Sequence, residues 1–98
     1  MTIVALVPDL MDRSRLSAAL PGVTFTGDPA AAADAEVAIV DLTRFGDRIG
    51  EIRAASDALI VAFGPHVDDE AAAAARTAGA DRVLPRSRFF RDPAAAVT

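Results

Sequence analysis

Ninety-eight residues suffice for one domain, 1–98, and leave no room for a second, so a single core must serve every element. The formal net charge is −4 and all ten basic residues are arginine, which argues against nucleic acid as a partner and excludes chemistry that needs a lysine amine. With no cysteine, disulfides, thiolate nucleophiles and cysteine-based zinc or iron–sulfur sites are excluded too.

Hydrophobic residues reach 52%, but alanine supplies much of that share and neither Trp nor Tyr occurs. The expected core is therefore Val, Ile and Leu with a few Phe, packed under thin, alanine-faced helices. Ile3–Val7 is a nearly continuous apolar run, as a strand buried on both faces should be. The run has no basic flank and stops at Pro8-Asp9. It is too short for a signal peptide or for a membrane helix of about 20 residues, so no membrane partner and a cytoplasmic location are expected by default.

Asp9 and Asp12 form a capping pattern for a helix whose face carries Leu10, Leu16, Ala19 and Leu20, and Pro21-Gly22 ends it. Val23–Thr26 is a plausible second strand. Gly27-Asp28-Pro29 then supplies turn, cap and first-turn residues for a brief helix over 30–34. Val37–Val40 reads as the third strand, closed by Asp41. Phe45, Ile49 and Ile52 recur at i, i+4 and i+7, which predicts a helix running from Thr43 to about Ala55. Leu59–Phe63 is the fourth strand, ended by Gly64-Pro65. Asp68, Asp69 and Glu70 crowd the start of a helix over 71–78, where the dipole favours negative charge, and Gly79 is placed to end it with a left-handed residue. Arg82–Leu84 is a short fifth strand. Ser87 reads as the cap of a last amphipathic segment with Phe89 and Phe90, interrupted at Pro93.

Strand and helix alternate five times, which predicts an α/β fold: a five-stranded parallel sheet, doubly wound, in a three-layer sandwich with a shortened second helix. In such sheets ligands and chemistry gather beyond the carboxyl ends of the strands. The residues expected there are Pro8 and Asp9, Asp41 and Thr43, Phe63, Gly64 and His66, and Pro85, Arg86 and Ser87. No Gly-x-Ser-x-Gly elbow, Walker loop or Gly-x-Gly-x-x-Gly occurs, and the lone His66 reads as a solvated loop histidine rather than a metal ligand.

Three stretches resemble the receiver domains of two-component response regulators, one of them Ala58–Gly64 followed by His66 and an acidic helix start, which fits their fourth strand and helix. Ala38-Ile39-Val40-Asp41-Leu42 looks like their phosphoacceptor strand, and Gly79-Ala80-Asp81-Arg82-Val83-Leu84-Pro85-Arg86-Ser87 is similar to the segment around their fifth strand. The resemblance implies a flavodoxin-like strand order of 2-1-3-4-5 and makes Asp41 the phosphoacceptor candidate. It also implies a Mg²⁺ site built from acids after the first strand plus the acceptor, for which Asp9, Asp12 and Asp41 are the available candidates.

Three positions depart from the family's pattern. Val7-Pro8-Asp9 leaves at most one acid of the adjacent pair, Phe63 stands for the hydroxyl residue that ends the fourth strand, and Arg86 stands for the lysine. Phe63 cannot donate a hydrogen bond to a phosphoryl group, and Arg86 differs from lysine in geometry while remaining able to pair bidentately with Asp41. The expected function is thus a stand-alone pseudo-receiver: a regulatory or protein-interaction module, not an enzyme, with no cofactor unless phosphotransfer and Mg²⁺ are retained. Two alternatives stand beside it. One is a phospho-accepting receiver using Asp41; the other is an anion binder using Gly64, Arg86 and Ser87. Arg88, Phe89, Phe90 and Arg91 are the expected interface, with one Phe packed on the sheet and the other reaching the surface. The partner would be another protein or, through the 80–91 face, a second copy.

Overall fold

The computed structural model describes residues 1–65 and 67–98, so the reading of His66 lies outside the described residues. Five strands form one parallel sheet: β1 Ile3–Leu6, β2 Thr24–Phe25, β3 Val37–Asp41, β4 Leu59–Gly64 and β5 Arg82–Pro85. Their order is β2-β1-β3-β4-β5, as the resemblance implies. Register brings Leu6 beside Val40, Asp41 beside Phe63 and Gly64 beside Pro85, so the carboxyl ends of the four longer strands share one edge.

The near-continuous apolar strands are explained by burial on both faces. Ile3, Ala5, Val37, Ile39, Val61 and Phe63 face helix α1 (Leu10–Ala19) and the C-terminal helices α5 (Arg86–Arg91) and α6 (Pro93–Ala96), meeting Leu16, Phe89 and Val97. Val4, Leu6, Val40, Ile60 and Ala62 face the other way, toward Ile49 and Ile52 of α3 (Ile49–Ala55) and Ala75 of α4 (Asp69–Ala78). Each fully buried Ile or Leu contributes about 1.5–3 kcal/mol. Alanine on α4 lets that helix approach the sheet closely. Gly79 ends it at φ +127°, and a Cβ there would stand 2.8 Å from Arg53 Cβ, so a residue without a side chain is required. Among the described residues no helix is long and apolar enough to cross a membrane.

Local structure corrects five expectations. Leu10 and Ala19 stand exposed, so only Leu16 and Leu20 of the expected α1 face are buried. The second strand keeps only Thr24–Phe25, paired with Val4 and Ala5 at the sheet edge. The brief helix expected over 30–34 is a single 3₁₀ turn, Pro29–Ala32, with Asp28 accepting a hydrogen bond from Ala30 N. The helix expected from Thr43 to Ala55 is broken into α2 (Leu42–Phe45), a 3₁₀ turn at Gly46–Arg48, and α3. Gly46 is a poor helix former, and the break still leaves Phe45, Ile49 and Ile52 on the same apolar cluster. Lastly, Ser87 lies inside α5, whose cap position is Pro85 and has no side-chain capping bond.

Candidate functional site

At the carboxyl edge of the sheet the chain leaves each strand through a polar turn. After β1, Asp9 caps α1, its Oδ1 accepting a hydrogen bond from Asp12 N at 2.9 Å. After β3, Asp41 is buried and caps α2, its Oδ1 accepting from Thr43 N at 3.0 Å. Both aspartates thus satisfy backbone N–H groups that a helix start would otherwise leave open.

Asp12 behaves differently. One helical turn beyond Asp9, it is only 2% exposed. Arg86, the first residue of α5, clamps its carboxylate: Nη1 donates to Oδ2 at 3.0 Å and Nη2 donates to Oδ1. Parallel N–H donors match a carboxylate fork, and the charge pair compensates an acid removed from water. The hydrogen bonds to Asp12 raise the Arg86 pKa above its ordinary value; the charges of Asp12, Asp41 and Asp9 add to the effect, while partial burial opposes it. Arg86 therefore pairs with Asp12 and not with Asp41, the partner the sequence left open to it. Asp41 acts on it only through space.

Phe63, at the end of β4 and in register with Asp41, is fully buried. Its ring stacks on Phe89 at 4.8 Å with 7° between planes, and Phe90 meets both rings edge-on. The expectation for Phe89 as an interface residue fails for this reason: it is core, exposed 0%. Phe90 is half-buried against the other two rings, with the guanidinium of Arg86 over its face at 5.0 Å and that of Arg15 at 5.7 Å.

The strand-end turns enclose a pocket of about 390 Å³ lined by Pro8, Asp9, Asp12, Asp41, Thr43, Arg44, Pro65 and Arg86. Gly64 is not part of it, because Leu42 closes the space above it: a Cβ there would already touch Leu42 at 3.4 Å. Ser87 is exposed on α5 and faces a neighbouring depression instead. Pro65 and Arg44 are the pocket residues that the sequence reading missed, and Arg44 brings the charge. Its signal is its position, three residues past the strand-end aspartate in the helix that Asp41 caps.

The residues do not fit the divalent cation that the resemblance implies. Among the described residues no group of three His, Cys, Asp or Glu side chains is arranged to hold a metal ion. Asp9 and Asp41 cap helices, and both oxygens of Asp12 are taken by Arg86. A guanidinium sits where an acidic cluster would otherwise call for a cation.

No protein-family model matches the sequence, and no curated protein matches it. Solved structures match it in fold. A response regulator from Burkholderia pseudomallei, described with a phosphorylated aspartic acid, a calcium ion and citrate, is similar at TM-score 0.85 and 18% identity, over 99% of this chain and 66% of that one. The fold is that of response-regulator receiver domains. A response regulator from Thermotoga maritima shares the receiver fold at TM-score 0.73 and 16% identity, over 87% of this chain and 83% of that one. The signal receiver domain of a DNA-binding response regulator from Colwellia psychrerythraea 34H does so at 0.62 and 15%, over 93% and 94%. The chain thus spans about two thirds of the Burkholderia protein and most of the other two.

Proposed function

We propose that this protein is a pseudo-receiver, a non-enzymatic signalling module of receiver fold that works by contact with another protein and does not take a phosphoryl group on Asp41. One observation supports the reading above the others: the bidentate Asp12–Arg86 pair, which commits the most buried acid of the site to a resident cation. An acyl phosphate forms where a metal ion neutralises the transferring group, and here the acid that would join in holding that ion is already neutralised. The same proposal includes a cytoplasmic location and no bound cofactor.

A second reading keeps the phosphotransfer. It is favoured by the likeness to the Burkholderia protein, which carries a phosphorylated aspartic acid. Anion binding in the pocket has less support, since three carboxylates face two arginines there. Incubation with Mg²⁺ and a small phosphodonor, read by intact mass, separates the first two readings. The pseudo-receiver reading predicts no gain of about 80 Da, the mass of one phosphoryl group replacing a proton. A gain that disappears in Asp41→Asn would establish the second reading instead.

A further inference from the structure

On the α1–α5 side of the molecule, beside the acidic pocket, lies a depression of about 340 Å³ formed by Arg15, Arg86, Ser87, Phe90 and Arg91, with no carboxylate in its lining. Arg91 also borders a second depression of about 350 Å³, which adds Arg82 and Arg88 around Leu84. Five of the ten arginines of an acidic protein are thus gathered along one edge. The one carboxylate in the second depression, Asp92, is occupied in capping α6, its Oδ1 accepting from Ala95 N at 3.1 Å. Arg15, Arg88 and Arg91 are exposed, and among the described residues none of the three forms an ion pair.

We propose that this edge docks an extended acidic segment of a partner protein, with carboxylates on Arg15, Arg86 and Arg91 and an apolar side chain on Phe90. The inference rests on the reading of the protein as a contact module and adds the chemistry of what it contacts. Arg86 is the anchor. A guanidinium carries five N–H donors, and Asp12 uses two, so three remain for an incoming carboxylate from a group already fixed in place. Phe90, half-buried beneath Arg15 and Arg86, offers an apolar surface between two cations, the residue pairing that dominates interface energetics.

Charge selects the occupant. A net charge of −4 repels a uniform polyanion such as nucleic acid at long range, whereas a short acidic segment meets only the local arginines. The guanidiniums are spread over two adjoining depressions, so several separate carboxylates on one chain match them better than a single small anion does.

The test is fluorescence anisotropy of a labelled peptide of glutamates interrupted by leucine, titrated with the full chain at low salt. Saturable binding is expected. Arg91→Glu and Arg15→Glu are each expected to weaken it by about tenfold or more, as charge reversal at a complementary contact does. Arg76→Glu, exposed on α4 across the sheet, should change it by less than about twofold. Absence of saturable binding, equal weakening by Arg76→Glu, or displacement by equimolar inorganic phosphate would each overturn the proposal. So would a dimer in gel filtration that Arg91→Glu dissociates, because the occupant would then be a second copy. Circular dichroism of each variant confirms folding. The phosphorylation assay on Asp41 fails or succeeds independently, so an error in the underlying reading is distinguishable from an error here.

Discussion

Two aspartate–arginine pairs brace opposite edges of the sheet, and they do different work. At the amino edge, Asp81 serves the backbone: its Oδ2 accepts from Ile60 N at 2.8 Å and meets Arg53 Nη1 only at 3.4 Å, with both side chains more than a third exposed. At the carboxyl edge, Asp12 is buried and its carboxylate meets Arg86 alone among the described residues. The first pair trims a turn between a helix and a strand. The second holds a charge in the place where the receiver fold gathers its acids. The same two residue types thus make a spare contact at one edge and an obligatory one at the other, and burial of the acid is what separates them.

The largest expected effect tests that separation. Arg86→Ala leaves Asp12 buried without a partner, at an expected cost of about 2–3 kcal/mol, at or just below the range for broken, fully buried pairs because Arg86 is itself partly exposed. Arg53→Ala, which removes the exposed pair together with a hydrogen bond to Ala58 O, should cost only about 1 kcal/mol. Urea melts of the two variants check this, and equal losses would break the comparison.

A subtler effect sharpens it. Replacing both Asp12 and Arg86 by Leu and Met should recover most of the stability lost by Arg86→Ala, because buried ion pairs are often no more stable than apolar replacements of similar volume. If the double variant were less stable than the single, the pair would be holding the α1–α5 contact through its geometry as well as its charge. No pH dependence of this stabilisation is expected near neutrality. The Arg86 pKa is raised, so the contribution is complete below arginine's ordinary value and is lost only at higher pH, as the raised value is passed.

Much of this fold is legible in the sequence because its signals are local. Apolar runs set the strands, and Asp9, Asp28 and Asp68 announce helix or turn starts by capping bonds that reach two or three residues ahead. Asp41 was visible for the same reason, as the residue that ends a buried strand. What was not legible depends on distance along the chain. Asp12 and Arg86 are 74 residues apart, and nothing in either neighbourhood says that α5 will lay its first side chain against the first turn of α1. Arg86 next to a strand-end aspartate looked like a partner for Asp41, but Asp41 had already turned toward Thr43 N. Adjacent Phe89 and Phe90 divide between core and surface as expected, Phe89 fully buried and Phe90 half-buried, but what they pack on was not legible. Phe63, placed by strand register, gives both of them a ring to pack on.

The claim that joins these observations is that Arg86 is the cation of this site. The most direct measurement is a Mg²⁺ titration of the uniformly ¹⁵N-labelled protein, followed at the amides of Asp9, Asp12 and Asp41 up to about 10 mM, beyond the weakest range of protein cation modules. The account predicts no saturable shift at these three amides. Saturable, concerted shifts at all three would contradict it, since a divalent cation would then be binding in the presence of the arginine.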